Sequence, residues 1–277
     1  MFLWLIPPFL QWTHKIDNCT EQRLVFDEAA SLYDQYRANY PPQLAADLLT
    51  LANVAAGDRI LEIGCGTGKA TIHFAPYGFP LLALEPGAAM CAIARQKCAD
   101  FPNVGFRNDL FEEWSLEAEA FKLIYAAMAL HWVDPEIAFT KTAAALAPGG
   151  TLACIWNRPQ ESEDALRQEI RRAYDKVKHV KQPQKAHPQA LYEGQGGTIE
   201  RFNASRRFGT VFSAEYPHSA QYSADEYIKL MQTMSDHRIM PEAEREWLYG
   251  EIFDAIERFG GVIKVDYLVT LYFARRV

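Results

Sequence analysis

The sequence predicts an α/β protein with a mostly parallel sheet and helices on both faces of that sheet. Short apolar runs such as 59–63 and 80–84 alternate with longer segments whose apolar residues recur every three or four positions. This strand-then-helix order is the pattern that produces a parallel sheet. A glycine-rich loop, with Gly64, Gly66 and Gly68, follows the first run directly. The loop lies where a strand should end, so we expect it to contact a ligand.

The remaining elements follow in order along the chain. Helices are predicted over Gln43 to Val54, Gly87 to Cys98, Pro135 to Leu146, Ala224 to Met234 and Pro241 to Phe259. Further extended segments are predicted over 151–156, 205–212 and 265–273. The rhythm breaks at residues 161–200, where Leu166, Ile170, Tyr174 and Val177 form one helical stripe. We expect four regions: an exposed leader (1–25), a ligand-binding core with an N-terminal lid segment (26–160), a helical cap insertion (161–200) and a segment that completes the sheet (201–277).

Composition narrows the classes of function. The 277-residue chain carries a net charge of −7, which argues against binding to nucleic acid or to an anionic membrane. The basic stretch 171–185 is expected to be a solvated helix face. Five cysteines, an odd number spread along the chain, favour a reducing compartment, and no His or Cys spacing predicts a metal site.

The first ten residues are apolar, but they reach about half the length that a bilayer span needs. They lack a basic start, and Pro7 and Pro8 interrupt any helix. We expect no membrane span and a cytoplasmic protein.

The spacing of the loop glycines separates two kinds of ligand. Glycine leaves no Cβ between the backbone and a bound molecule, although an ordinary tight turn is the alternative. Glu85 ends the second apolar run about twenty residues later, where an acid contacts ribose hydroxyls in nucleotide-binding α/β units; a solvated charge at a strand end is the other interpretation. Dinucleotide loops place their third glycine one position later. The Gly-x-Gly-x-Gly spacing therefore favours S-adenosylmethionine, which has no phosphate.

Five ordered motifs resemble those of the class I S-adenosylmethionine-dependent methyltransferases. They are Glu62 to Gly68, Glu85-Pro86-Gly87 with Met90, Asn108-Asp109-Leu110, Ala126 to Trp132, and Leu146 to Gly150 before the strand 151–156. The resemblance implies a Rossmann-like sheet of seven strands, mostly parallel with an antiparallel last strand. It implies S-adenosylmethionine as cofactor and S-adenosylhomocysteine as product. The cofactor-binding residues that it implies are Arg37, Gly64, Cys65, Gly66, Gly68, Glu85, Pro86, Met90, Asp109, Leu110, Ala127 and Met128.

Within that family the chain is most similar to small-molecule methyltransferases of the trans-aconitate type. The segment Tyr33 to Pro41 resembles the tyrosine- and arginine-bearing segment that closes over the cofactor, and the pair His131-Trp132 is also similar. This implies a small-molecule acceptor. Tyr33, Trp132 and Arg158 are expected to contact it.

The acceptor decides which side chains matter. A carboxylate is already ionised at neutral pH and needs no general base; Arg37 or Arg158 could then hold it, although Arg37 is expected to hold the carboxylate of the cofactor. A hydroxyl or an activated carbon needs a base, and His131 is the candidate. The alternative is that His131 only orients its loop.

Two other functions stay open on the sequence alone. An NAD-dependent oxidoreductase would share the loop and Glu85, but it would need a different glycine spacing and a hydride-transfer site, for which we find no residues. A module that binds the cofactor without catalysis would carry the same motifs.

Overall fold

The computed structural model describes residues 27, 29–177, 194–238 and 240–277. The predicted leader over 1–25 and part of the predicted cap, 178–193, lie outside the described residues.

Helices and strands alternate through the first half of the chain. The helices are α1 (Ala30–Tyr36), α2 (Gln43–Leu51), α3 (Thr71–Phe74), α4 (Ala88–Lys97), α5 (Pro135–Ala145), α6 (Ala165–Lys176), α7 (Gly194–Ser205), α8 (Ala224–Gln232), α9 (Ser235–Arg238) and α10 (Glu242–Arg258). Short 3-10 turns lie at Ala75–Tyr77 and Leu130–Trp132. The strands are β1 (Ile60–Ile63), β2 (Leu81–Leu84), β3 (Val104–Arg107), β4 (Phe121–Ala127), β5 (Leu146–Pro159), β6 (Phe212–Ser223) and β7 (Val262–Arg275).

These strands form one seven-stranded sheet in the order β3-β2-β1-β4-β5-β7-β6. The neighbours among β1 to β5 pair in parallel, whereas β7 is antiparallel to both β5 and β6. The predicted Rossmann-like sheet with its antiparallel last strand is confirmed. Because β1 lies in the middle of the parallel part, the loop after it opens at the carboxyl edge of the sheet, where such folds bind ligands.

Each face of the sheet is covered by helices. On one face, Leu44 and Leu48 of α2 and Ala94 of α4 pack against strand residues. On the other face, Phe139 of α5 and Phe202 of α7 do so. Strands buried on both faces read as continuous apolar runs, which is why β1 and β2 could be predicted from composition.

A third hydrophobic cluster joins α1, α6, α8 and α10 to the ends of β6 and β7. Leu166 and Ile170 of α6 pack there with Leu248 and Ile252 of α10. The segment 161–200 therefore supplies only part of this helical layer. Helix α7, which spans the end of that segment, packs on the sheet instead, through Phe202.

The structure differs from the sequence-based expectation around residues 194–223. The predicted extended segment 205–212 precedes the actual strand β6, and helix α7 lies where no helix was predicted. Strand β6 is an edge strand and contains Pro217, which cannot donate to a neighbouring strand. Half-buried residues alternate with exposed ones along it. Such a strand lacks the continuous apolar run that identified the central strands.

Candidate active site

A cavity of about 530 Å³ opens at the carboxyl ends of β1, β2 and β4. This volume lies within the range of about 300–1,000 Å³ that is usual for small-molecule sites. Its wall is formed by the loop after β1, by α1, by the segment after β4 and by α8, α9 and β7. The lining residues include Tyr33, Arg37, Tyr40, Glu62, Gly64, Cys65, Gly66, Lys69, Glu85, Met128, His131, Trp132, Asn157, Leu230 and Tyr267.

The three glycines after β1 have different roles. All three have positive φ, a conformation that side chains disfavour. A Cβ on Gly64 would lie 2.6 Å from the Cβ of Ala129, and one on Gly68 would lie 3.2 Å from the backbone of Ala94, whereas one on Gly66 would meet nothing within 4 Å. Gly64 and Gly66 line the cavity, and Gly68 does not. Gly68, predicted to bind the cofactor, therefore serves the close packing of the loop on α4.

Glu85 lies at the end of β2 and faces the same loop. Its Oε2 accepts a hydrogen bond from the Gly66 backbone N at 2.8 Å, and its Oε1 accepts one from the Gly87 N at 2.9 Å. Asn108, after β3, donates to the carbonyls of Glu85 and Pro86, both at 2.8 Å. These contacts fix the carboxylate of Glu85 at the rim of the cavity.

Glu62 is a buried acid within β1 that also lines the cavity. Its Oε2 accepts hydrogen bonds from the hydroxyls of Thr71, at 2.6 Å, and Tyr125, at 2.9 Å. Its Oε1 has no hydrogen-bond partner among the described residues. Burial raises the pKa of Glu62 from 4.5 to about 7, against the opposing effect of the two hydroxyls. A buried carboxylate oxygen without a donor is suited to bind a cationic group.

Helix α1 lines the cavity through Tyr33 and contacts α4. Asp34 pairs with Lys97 of α4. Arg37 follows α1 and is bound to the end of α8, because its Nε donates to the Thr233 hydroxyl at 2.7 Å and its Nη2 donates to the Thr233 carbonyl at 2.9 Å. Helix α1 and Arg37 thereby connect the core to the helical layer.

The segment after β4 brings His131 and Trp132 to the cavity. His131 is buried, and its ring lies 4.8 Å from that of Trp132 and 5.5 Å from that of Trp156. Met128, at the end of the strand, has a φ of 53°, and strained backbone of this kind concentrates at functional sites.

Most of the predicted site residues meet in this cavity. Those that line it are Tyr33, Arg37, Gly64, Cys65, Gly66, Glu85, Pro86, Met90, Asp109, Leu110, Ala127, Met128, His131 and Trp132. Gly68 and Arg158 do not line it. Arg158 lies instead with its guanidinium 5.5 Å from the ring of Trp156.

Several lining residues were not among the predicted site residues. Glu62 could have been found, since a carboxylate inside an apolar strand is costly to bury and must find partners in the fold. Lys69 and Asn157 carried no such signal. Leu230 and Tyr267 come from α8 and β7, and only the folded chain brings those elements to the loop.

The described residues contain neither a membrane-spanning helix nor a cluster of metal ligands. None of their helices is both long enough and apolar enough to cross a bilayer. Their His, Cys, Asp and Glu side chains form no group of three or more that could hold a metal ion.

Parts of the sequence are similar to known methyltransferases. Residues 60–150 match the family model of a methyltransferase domain. An uncharacterized methyltransferase of Mycobacterium tuberculosis is 33% identical over 141 residues, which are 51% of this chain and 55% of that protein. Trans-aconitate 2-methyltransferase of Variovorax paradoxus is 33% identical over 133 residues, 47% of this chain and 49% of that protein. The chain thus spans about half the length of the curated relatives that it matches.

A solved structure shares the fold. Phosphoethanolamine N-methyltransferase 2 of Haemonchus contortus, in complex with S-adenosylhomocysteine, aligns with a TM-score of 0.52 at 14% identity and covers 90% of this chain and 57% of that one. Residues 60–150 are thus similar in sequence to a methyltransferase domain, and the solved structure shows the same fold.

Proposed function

We propose that the chain transfers a methyl group from S-adenosylmethionine to a carboxylate oxygen of a small molecule. The observation that carries the proposal is that one continuous cavity reaches from the glycine loop to α8 and β7. Its volume of about 530 Å³ suits a cofactor together with a small acceptor. The name of the Variovorax relative, trans-aconitate 2-methyltransferase, supports a carboxylic acid as acceptor.

The residues present fit the cofactor. The open space over Gly66 leaves room for a ligand against the loop backbone. The Oε1 of Glu62 has no partner among the described residues and would accept a hydrogen bond from an ammonium group. Glu85 would bind the ribose hydroxyls. Pro86, Met90, Asp109 and Leu110 would surround the adenine, and Gly64, Cys65, Ala127 and Met128 would contact the remainder.

When bound, S-adenosylmethionine supplies an electrophilic methyl group on its sulfonium. Displacement at that methyl requires mainly that the acceptor oxygen is held in line, so positioning by the protein can supply most of the acceleration. A carboxylate acceptor needs no base at neutral pH. His131 then orients the loop through its contacts with Trp132 and Trp156.

The apolar part of the wall suits a small organic acid. Leu230, Met234, Val265 and the rings of Tyr227 and Tyr267 line the end of the cavity that α8, α9 and β7 form. We propose that this end, with Tyr33 and Trp132, contacts the acceptor.

The experiment combines labelled cofactor with a panel of carboxylic acids. We expect a labelled methyl ester, from which alkali releases labelled methanol, and we expect His131→Gln to retain turnover within about tenfold. The result that would contradict ester formation is a label stable to alkali, together with a loss of turnover of about 100-fold or more in His131→Gln. It would show that the methyl group goes to a hydroxyl or a carbon, with His131 as the base. Bound cofactor without transfer to any acceptor would favour the non-catalytic module.

A further inference from the structure

The cavity wall contains two cations on different elements. Lys69 follows the glycine loop, is only 7% exposed, and donates from Nζ to the Oδ1 of Asn39 at 2.9 Å. Arg37 contacts the neutral hydroxyl and carbonyl of Thr233. Within the part of the chain that the structure describes, neither cation lies within ion-pair distance of a carboxylate.

The charge on Lys69 is incompletely compensated. Burial lowers its pKa from 10.5 to about 8, and the positive charges of Lys97 and Arg37 act in the same direction. Asp34 opposes this shift, but Asp34 is itself paired with Lys97. A buried cation with a neutral partner is costly unless an anion joins it. Lys69 therefore favours an anionic group on a ligand that binds beside it.

The two cations have different neighbours, and they are close enough for the charge of Arg37 to act on Lys69. Lys69 is adjacent in sequence to the loop and acts on the pKa of Asp34 and His73, which belong to the core side. Arg37 is tied to the end of α8, and its charge also acts on Tyr222 and Tyr267 of the acceptor side. The cofactor has one carboxylate, and Glu62 is already suited to its amino group.

We propose that each cation binds a different carboxylate: Lys69 binds the carboxylate of the cofactor, and Arg37 binds a carboxylate of the acceptor. This inference rests on the proposed methyltransferase function. It moves the cofactor carboxylate from Arg37, where the sequence places it, to Lys69. It also makes Arg37 the residue that selects an anionic acceptor.

Calorimetric titration with two probes tests the assignment. S-adenosylhomocysteine carries the carboxylate, whereas 5′-methylthioadenosine has the same nucleoside but no amino-acid part. In Lys69→Gln we expect the affinity for S-adenosylhomocysteine to fall by about tenfold or more, the size of one charge-assisted hydrogen bond. The affinity for 5′-methylthioadenosine should be unchanged. Arg37→Gln should leave both affinities within about threefold of wild type, as should the control Arg95→Gln, an exposed cation outside the cavity.

The opposite pattern would overturn the assignment. It would show as a selective loss of S-adenosylhomocysteine binding in Arg37→Gln with normal binding in Lys69→Gln. A wild-type protein that binds neither probe would instead contradict the methyltransferase proposal itself. Retained binding of 5′-methylthioadenosine shows that each variant is folded.

A second measurement addresses the acceptor. With saturating S-adenosylhomocysteine, acetate, succinate, citrate and trans-aconitate are added and the midpoint of thermal unfolding is recorded. We expect at least one of these carboxylates to raise the midpoint of the wild-type complex and to have no effect on Arg37→Gln. An equal rise in Arg37→Gln, or no rise with any of the four, would contradict the role of Arg37.

Discussion

Glu62 combines a structural cost with a proposed role in binding the cofactor. Its carboxylate lies fully buried in β1, and the hydroxyls of Thr71 and Tyr125 both donate to the same oxygen, Oε2. The raised pKa, about 7, means that the folded protein holds a proton that the unfolded chain releases above pH 4.5. Stability therefore decreases as the pH rises from about 4.5 to about 7.

Glu62→Gln should separate the two effects. We expect this variant to be more stable than wild type at pH 8, by up to about 3 kcal/mol in the free energy of unfolding, with the difference vanishing toward pH 4.5. Its affinity for S-adenosylhomocysteine at pH 8 should fall by roughly 10- to 100-fold, because an amide does not pair with an ammonium group as a carboxylate does. Denaturant unfolding and calorimetry at several pH values measure both. Unchanged affinity would remove Glu62 from the site.

Gly66 is the loop residue whose substitution tests the ligand space most directly. A side chain there would meet no protein atom within 4 Å of its Cβ, although φ is +56°. We expect Gly66→Val to abolish binding of S-adenosylhomocysteine while it lowers stability by only about 1–3 kcal/mol, the cost of the strained backbone.

The chain offers a matched control for that variant. Gly78 has a φ of +77°, and a Cβ on it would also meet nothing within 4 Å, but it lies outside the cavity. Gly78→Val should carry a similar stability loss and bind normally. If the two variants bind alike, the space over Gly66 is not the ligand site.

Among the elements, helix α7 shows how tertiary contacts decide what local sequence does not. The segment Gly194–Ser205 contains several glycines and polar residues and was not predicted as a helix. It is held on the sheet by Phe202, which is fully buried and packs on Phe139 and Phe208 at ring distances of 5.2 and 5.4 Å. Trp156 Nε1 also donates to the Thr198 hydroxyl of α7 at 3.0 Å. These tertiary contacts outweigh the weak intrinsic propensity of the segment.

This packing predicts a contrast between two phenylalanines. Phe202→Ala should lower the free energy of unfolding by about 3–5 kcal/mol, because it leaves a cavity in the core. Phe212, 56% exposed on edge strand β6, serves as the control, and Phe212→Ala should change stability by about 0.5 kcal/mol or less. Denaturant unfolding measures both. Equal effects would mean that α7 is not part of the core.

At the scale of the whole molecule, the sequence predicted the parallel sheet and the side of it on which the site lies. Continuous apolar runs identify buried strands, and parallel strands bring the ends of β1, β2 and β4 to one edge. Glu85 and Gly66 meet there through a hydrogen bond of 2.8 Å between residues 19 apart in sequence.

The remainder could not be predicted, for physical reasons. The side of the wall that we assign to the acceptor is made by α8, α9 and β7, more than 60 residues after the last motif before them. Their packing on α1 depends on contacts such as that of Arg37 with Thr233. The same limit applies to Lys69. Its position beside a neutral amide, away from a carboxylate, is a property of the fold and leaves no trace in spacing or composition.

Calorimetric titration of the whole chain with S-adenosylhomocysteine and, separately, with NADH tests the central claim most directly. We expect dissociation constants on the order of micromolar for S-adenosylhomocysteine and no heat with NADH, because the glycine loop, Glu62 and Glu85 together suit a ligand with an ammonium group and no phosphate. Binding of NADH alone would contradict the account, and so would the absence of binding by S-adenosylhomocysteine.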